Sequence, residues 1–171
     1  MGRQWIPLML AVAIVLQVAT LAPAPSFAQG RTVAWKFTLD FLIQGPQAPF
    51  VIALEKGYYA KEGINLTIDR GFGSADAVTK IASGAYDLGY ADINSMIEFN
   101  ARNPGKELVA IAILLNSPPF SILTLRRENI RSPQDLVGKK LGSPVGDAPR
   151  RLFPVFARAV GIHPDSVEWV S

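Results

Sequence analysis

Two carboxylates and an aromatic ring stand where a small ligand could be held by hydrogen bonds and stacking. Asp40 directly follows a run of residues typical of a β-strand, and its carboxylate can accept from a ligand amine or a ring N–H. Phe41 comes next and offers a face for stacking on a ligand ring. Asp92 precedes a helical pattern, so it can cap that helix, accept from a ligand, or do both. The plainer alternatives are a loop carboxylate paired with nearby backbone for Asp40 and a core position for Phe41.

Other polar residues suit a ligand that carries a negative charge. Ser74 begins a helical pattern, and we predict that its hydroxyl caps this helix. The N–H groups of Gly73 and Ser74 would then face an anionic group, because a helix N-terminus favours negative charge. Asp147 and Arg150 stand at the start of a later helix, where arginine can hold a carboxylate or sulfonate or simply pair with the aspartate. Asn116 has an amide that both donates and accepts.

The residue types that catalysis and metal binding require are nearly absent. The chain contains no cysteine, which excludes disulfides, thiolate catalysis and cysteine-ligated metals. It contains one histidine, His163, in a loop pattern, so histidine zinc sites and a Ser-His-Asp triad have little to draw on. We therefore predict a protein that is not an enzyme, with no catalytic residue, no metal site and no cofactor.

Strands and helices alternate along the chain, which predicts an α/β fold with a mostly parallel sheet. Residues 108–115 form a continuous apolar run, as expected for a strand buried on both faces. In parallel sheets, ligands bind beyond the carboxyl ends of the strands. Strands or extended segments are predicted at 32–39, 64–69, 86–90, 108–115, 120–125, 140–144 and 167–170. The segments that follow strand ends, and so should line a cleft, are 40–47, 71–74, 91–92, 115–120 and 146–151.

The first 28 residues predict a cleaved signal peptide. Arg3 supplies the positive charge, residues 6–22 are almost entirely apolar, and residues 26–28 offer small residues at the cleavage positions. An uncleaved N-terminal anchor is the alternative. Because a lipid anchor at this boundary requires cysteine, we expect a periplasmic protein without one. The remaining charge is close to neutral and the basic residues occur as isolated doublets, so nucleic-acid binding is not expected.

An ordered set of short motifs resembles the substrate-binding proteins of ABC importers for nitrate, sulfonates, taurine and thiamine-pyrimidine precursors. The resemblance covers nearly all of the sequence after the signal peptide, and its specificity comes from the order of the motifs rather than from any one of them. The motifs are Asp40-Phe41, Gln47-Ala48-Pro49-Phe50, Ala53, Gly57-Tyr58-Tyr59, Glu62-Gly63, Gly71-Phe72-Gly73-Ser74, Ser83-Gly84, Tyr86-Asp87-Leu88-Gly89, Ala91-Asp92, Pro133, Asp135-Leu136 and Gly138-Lys139-Lys140.

This resemblance implies a type II periplasmic-binding-protein-like fold of two α/β lobes that close on a ligand. It divides the chain into lobe one at 29–119, a hinge crossing at 120–131 and the beginning of a second lobe at 132–171. It implies a small-molecule solute, an ABC permease in the inner membrane as partner, and a monomer. It also places Gln47 at a position that faces the cleft. The family usually has tryptophan where this chain has Phe41, which keeps an aromatic wall and loses an indole N–H.

Two other functions stay open. The same fold serves in fungal thiamine-pyrimidine synthesis, where a histidine of the protein is consumed together with a pyridoxal cofactor. The signal peptide and the absence of histidine from the predicted cleft argue against that chemistry here. Members of the family also continue well beyond the length of this chain, so a fragment, or a truncated sensory or non-functional remnant, is the third hypothesis.

Overall fold

The computed structural model describes residues 32–171. The predicted signal peptide and its cleavage site lie outside the described residues. Within residues 32–171, no helix is long and apolar enough to cross a membrane.

A three-stranded parallel sheet forms the first part of the fold. Its strands are β1 (Val33–Thr38), β2 (Ile64–Asp69) and β3 (Leu88–Gly89), and β1 lies in the centre in the order β2-β1-β3. Val33 lies opposite Ile64, and Phe37 lies opposite both Ile68 and Leu88. Because the strands are parallel, their carboxyl ends lie at the same edge of the sheet.

Four helices connect these strands and follow the last of them. They are α1 (Ala48–Glu55), α2 (Tyr58–Lys61), α3 (Ser74–Ala82) and α4 (Ile93–Arg102). Pro49 lies in the first turn of α1, where a missing N–H costs no helical hydrogen bond. Phe37, Leu39 and Leu66 are buried beneath α1, and the ring centroid of Phe50 lies 4.8 Å from Phe37 and 5.2 Å from Tyr90.

The C-terminal part of the fold, residues 126–171, contains a second and smaller parallel pair. β4 (Lys140–Gly142) pairs with β5 (Glu168–Val170), and α5 (Ala148–Ala159) connects them. Two short 3₁₀ turns precede them, Arg126–Glu128 and Pro133–Leu136. The sequence predicts a capping box at residues 132–135, and both of its hydrogen bonds are present.

Phe153 is the centre of the core of this part. It is buried with Leu136, Ala157, Ile162 and Val167, and its ring packs edge-on against Trp169 at 5.2 Å between centroids. Pro154 lies inside α5, which nevertheless runs from residue 148 to residue 159 as one helix. The lobe boundaries and the hinge at 120–131 stay predictions.

Two predicted strands are wrong. Residues 108–115 and 120–125 have no strand structure, and neither pairs with any of the five strands described above. The apolar side chains there are exposed, with Val109 and Ile111 each 80% accessible. A strand needs a hydrogen-bonded neighbour, and among residues 32–171 no strand occupies that place. We call residues 109–125 the apolar ribbon.

The burial predicted for some helical side chains is also wrong. The helical spacing of Ile93, Met96 and Ile97 predicts that they face inward on α4, but Ile93 and Ile97 are exposed and Ser95 is the buried residue. α4 packs against α3, and Ser95, not Ile97, is the residue of α4 that this packing leaves buried. Tyr58 and Phe156 are of aromatic types that usually lie in a core, but 51% of Tyr58 and 37% of Phe156 is accessible.

Candidate functional site

Asp40 and Gln47 are joined directly at the carboxyl end of the central strand β1. Gln47 Nε2 donates to Asp40 Oδ1 over 2.8 Å, and only 5% of Gln47 is exposed. Both residues come from the loop that connects β1 to α1, and Asp40 follows the fully buried Leu39. The resemblance predicts that Gln47 faces the cleft, and the strand pattern predicts Asp40 as a site residue. The structure places these two residues side by side.

The loop after β2 lies directly on the loop after β1. The N–H of Gly73 donates to the carbonyl of Asp40 over 2.7 Å, and the N–H of Gly71 donates to the carbonyl of Phe41 over 3.1 Å. Such close backbone contact leaves no space for a side chain at Gly71, where a Cβ would lie 2.0 Å from the Leu39 carbonyl oxygen. Phe41 is half-buried at this junction.

Ser74 and Asp92 are the second hydrogen-bonded pair of the site. The N–H of Asp92 donates to Ser74 Oγ over 3.0 Å, and Asp92 Oδ1 caps α4 by accepting from the N–H of Asn94 over 3.0 Å. The predicted cap by Asp92 is confirmed. The predicted cap by Ser74 is wrong, because Gly73 occupies the N-cap position of α3 and the Ser74 hydroxyl accepts from Asp92. Ser74 thus ties the start of α3 to the start of α4.

The C-terminal part reaches this site through Gly146 and Asp147. The carbonyl of Gly146 accepts from the N–H of Ala75 in the first turn of α3, over 3.3 Å. Gly73 has a φ of 120°, and a Cβ there would lie 2.4 Å from the carbonyl carbon of Gly146. Asp147 precedes α5 as predicted, but its carboxylate does not cap the helix and instead accepts from Ser143 Oγ over 2.8 Å.

We call Asp40, Gln47, Ser74, Asp92 and Asp147 the acid cluster. Burial raises the pKa of Asp40, the hydrogen bond from Gln47 partly offsets this, and the nearby Asp147 carboxylate adds to the rise. Burial raises the pKa of Tyr90, and the nearby charges of Asp40 and Asp92 raise that pKa further.

One buried acceptor in the acid cluster is unsatisfied. The carboxylate of Asp40 has only acceptor oxygens, so the amide of Gln47 must turn its NH₂ group towards it. Gln47 Oε1 is then left buried without a hydrogen-bond partner. A buried carbonyl oxygen without a donor is costly, and a ligand N–H would supply the missing bond.

Two predicted site residues, Arg150 and Asn116, are not part of the acid cluster. Arg150 Nη1 donates to the Ser143 carbonyl over 2.8 Å and to Ser171 Oγ over 2.9 Å, and its guanidinium lies 5.1 Å from the Trp169 ring. The Arg150 guanidinium therefore binds groups within the C-terminal part of the fold and does not contact the acid cluster through these bonds. Asn116 is exposed in the apolar ribbon. Tyr90 is not among the predicted site residues, although it ends the predicted strand 86–90 and so carries the same sequence signal as Asp40.

A cavity of about 220 Å³ lies between α3, α4 and α5, and none of the residues of the acid cluster lines it. Its polar wall is an ion pair between α4 and α5 that the sequence did not reveal. Arg151 holds both carboxylate oxygens of Glu98, with Nε 3.0 Å from Oε2, and Arg102 Nη2 lies 2.8 Å from Oε1. The hydrogen bond from Arg151 lowers the pKa of Glu98. The cavity is lined by Ala75, Val78, Thr79, Ser95, Glu98, Phe99, Arg102, Asn103 and Arg151.

The Glu98–Arg151 pair is expected to contribute a measurable coupling energy. Both side chains are about one-third exposed, so solvent screening limits the two-point hydrogen bond to about 0.5–1 kcal/mol. Urea unfolding of Glu98→Gln, Arg151→Met and the double variant measures this coupling. The matched control is the exposed Lys140–Glu168 pair, at 3.3 Å, which should give a coupling near zero. Equal couplings in the two cycles would contradict the assignment.

Among residues 32–171, no group of three or more acidic or histidine side chains is arranged to hold a metal ion. The only histidine of the chain, His163, lies exposed in a loop, where Nδ1 accepts from the N–H of Asp165 over 3.2 Å. The acid cluster itself contains neither lysine nor histidine. Its groups can accept hydrogen bonds and orient a bound molecule.

Comparisons with known proteins agree on the family and the fold. The chain is 30% identical over 123 residues to a 4-amino-5-hydroxymethyl-2-methylpyrimidine phosphate synthase of Legionella pneumophila, covering 71% of this chain and 38% of the relative. It is 32% identical over 106 residues to a formylaminopyrimidine-binding protein of Halalkalibacterium halodurans, covering 62% of this chain and 32% of the relative. The chain thus spans less than half the length of these relatives.

A solved structure of a protein from Bordetella bronchiseptica RB50 matches 80% of this chain and 43% of that one, with a TM-score of 0.53 at 15% identity. This likeness and the two parallel sheets give a type II periplasmic-binding-protein-like fold, as the sequence predicts. Residues 45–171 match the family described as NMT1/THI5 like. Because that match takes in well over half of the sequence, the chain belongs to the NMT1/THI5-like family.

Proposed function

We propose that the protein is the soluble periplasmic solute-binding component of an ABC importer. The carrying observation is that Asp40, Gln47, Ser74 and Asp92 form two directly hydrogen-bonded pairs at one edge of the parallel sheet. In parallel α/β folds that edge is where small ligands bind. The ligand is captured there and delivered to a permease in the inner membrane.

The proposed ligand is a small aminopyrimidine-like molecule. The relative named as a formylaminopyrimidine-binding protein supports this class. So does the chemistry of the acid cluster, where Gln47 Oε1 and the Asp40 carboxylate are both acceptors that an exocyclic amine can satisfy. Sulfonates and nitrate are the other ligand class that the sequence left open. A sulfonate or nitrate group has only acceptor oxygens, which find no donor partner in a site whose own groups are mainly acceptors.

Export remains part of the proposal. The N-terminal pattern supports a cleaved signal peptide, and the absence of cysteine from the chain means that no lipid anchor forms at the cleavage site. The mature protein would then act as a monomer between the two membranes.

A pyrimidine-synthesising enzyme is the second candidate, because the Legionella pneumophila relative carries that name. An enzyme that holds pyridoxal through an aldimine needs a lysine, and the acid cluster has none. The aldimine absorbs in the near ultraviolet, so incubation of the purified protein with pyridoxal phosphate tests this candidate. A stoichiometric aldimine band that borohydride fixes to one site would favour the enzyme.

The binding function is tested by thermal unfolding in the presence of pyrimidines, flavins, taurine and alkanesulfonates. We expect an aminopyrimidine at about 100 times its Kd to stabilise the protein by about 2.7 kcal/mol, which raises Tm by roughly 5 °C or more. Gln47→Leu removes the buried acceptor and should weaken binding at least about 10-fold.

Gln44→Leu is the matched control for Gln47→Leu. It makes the same change in the same loop at an exposed position, so the ligand-induced shift should persist. Circular dichroism establishes that both variants are folded. Absence of a shift with every compound would reject the solute-binding function.

A further inference from the structure

Carboxylates from both parts of the fold meet in the acid cluster without a cation among them. Asp40 follows β1, Asp92 precedes α4 and Asp147 precedes α5, and the charge of Asp147 acts on Asp40. The two nearest arginines of α5 are engaged elsewhere, Arg150 with Ser143 and Ser171, and Arg151 with Glu98. The electrostatic potential at the cluster is therefore negative.

Several of the backbone donors that usually hold an anion are already used. At the start of α3, the N–H of Gly73 donates to Asp40 and that of Ala75 donates to Gly146. At the start of α4, the N–H of Asn94 donates to Asp92. The first turn of α5 contains Pro149, which has no N–H to offer. Three helix N-termini thus converge here, yet each has lost part of its ability to bind a negative charge.

Gln47 shows independently what kind of group the cluster lacks. Its amide is held against Asp40, its side chain is almost fully buried, and its Oε1 has no donor. The missing partner is therefore a hydrogen-bond donor, which is the opposite of what a phosphate, sulfonate or nitrate group supplies.

We propose that Asp40 and Asp147, one from each part of the fold, act as a charge filter that admits ligands presenting N–H donors and rejects ligands with a negative charge. This inference rests on the proposed solute-binding function and specifies its ligand class. Asp40 and Gln47 accept hydrogen bonds from the N–H donors of the ligand, and the negative charge of Asp147 repels anionic ligands. The protein then binds the neutral form of a ring compound and excludes its phosphate ester.

The test uses two probes that share one ring, 4-amino-5-hydroxymethyl-2-methylpyrimidine and its phosphate ester, with isothermal titration calorimetry as the readout. Taurine, a zwitterion that carries a sulfonate group, and the nitrate anion serve as further probes. We expect the alcohol to bind and the ester to bind about 100-fold more weakly, because two like charges a few ångströms apart repel strongly in a partly buried site. Taurine and nitrate should not bind measurably.

In Asp147→Asn, the gap between the two compounds, which is the ratio of the Kd of the ester to the Kd of the alcohol, should fall about 10-fold, mainly because the ester binds more tightly. Asp147→Ser is the second variant, because serine is also a preferred residue at the start of a helix and preserves folding. Asp165→Asn is the matched control, since Asp165 lies in an exposed loop with 91% of its side chain accessible. The control should leave the gap unchanged.

The outcomes separate the two proposals. If the alcohol binds while the ester, taurine or nitrate binds equally well, the charge filter is wrong and the solute-binding function stands. If folded Asp147→Asn and Asp147→Ser keep the same gap as Asp165→Asn, the role of Asp147 is overturned. If none of the four probes binds, the charge filter fails, and the solute-binding function fails with it only when the flavins and alkanesulfonates of the thermal unfolding series also give no shift.

Discussion

Replacing Gly71 with alanine is expected to destabilise the protein by about 3 kcal/mol or more, the largest stability effect of any single substitution considered. A Cβ at this position would lie 2.0 Å from the Leu39 carbonyl oxygen and 2.7 Å from the carbonyl carbon and oxygen of Asp40. All three atoms belong to the backbone, so no side chain can rotate away. Leu39 is fully buried in the core beneath α1, so the end of β1 cannot move away from a side chain at residue 71.

Gly45→Ala is the matched control for Gly71→Ala. Gly45 lies in the neighbouring loop, has no heavy atom within 4 Å of its would-be Cβ, and should change stability by no more than about 0.5 kcal/mol. Urea unfolding followed by circular dichroism measures both variants. If Gly71→Ala unfolds at the same urea concentration as Gly45→Ala, the close contact between the two loops is wrong.

Asp40→Asn is expected to separate stability from binding. Loss of the carboxylate should weaken an aminopyrimidine-like ligand by about 10- to 100-fold, since a hydrogen bond to a charged group contributes about 1.5–3 kcal/mol. The same change should stabilise the free protein at pH 7, because a carboxylate whose pKa is raised by burial opposes folding when it is ionised. Calorimetry measures binding and urea unfolding measures stability.

The pH dependence of Asp40→Asn has a defined sign. The pKa of Asp40 is higher in the folded protein than in the unfolded chain, whose value is about 3.9. Below the unfolded value both states are protonated, so wild type and Asp40→Asn should have similar stability. The advantage of Asp40→Asn then grows as the pH rises from there through the folded pKa. Urea unfolding at a series of pH values between 3 and 7 follows it.

Asp135→Asn should behave in the opposite way and is the comparison for Asp40→Asn. Asp135 accepts from the N–H of Arg131 and then from the N–H and hydroxyl of Ser132, and these bonds lower its pKa. Its carboxylate therefore favours folding above the unfolded pKa, and Asp135→Asn should be less stable than wild type at pH 7. That difference should disappear as the pH falls through the folded pKa of Asp135. A loss of stability for Asp40→Asn at pH 7 would contradict the burial of an unfavourable charge.

Features with local signals could be predicted from the sequence. The capping box at residues 132–135 depends on residues within one turn, and Asp92 caps the helix that begins at the next residue. The ends of β1 and β2 could be located because alternating residues stop there at an aspartate. For that reason the sequence predicts Asp40 and Ser74 at the edge of the sheet where the carboxyl ends of the strands lie, and the structure has them there.

Features that depend on distant partners could not be predicted. The apolar ribbon has the composition of a buried strand, but composition does not reveal whether a neighbouring strand is available to pair with it. Glu98 and Arg151 are 53 residues apart, and no pattern in either helix indicates that they meet. Ser74 was expected to cap its own helix, yet the nearby N–H of Asp92 captures its hydroxyl, a contact that only the folded arrangement creates.

The contact between Gly73 and Gly146 also constrains how the two parts of the chain can diverge during evolution. A side chain at Gly73 would collide with the backbone of Gly146 and would also have to adopt a φ of 120°. A side chain at Gly146 would lie 3.1 Å from the Phe72 carbonyl oxygen. Gly73 cannot gain even a methyl group unless the loop at Gly146 retreats, and a methyl group at Gly146 would need a slight shift of the Phe72 carbonyl, so the two positions should vary together. Where one has been replaced in a related sequence, compensating changes belong in the loop that faces it.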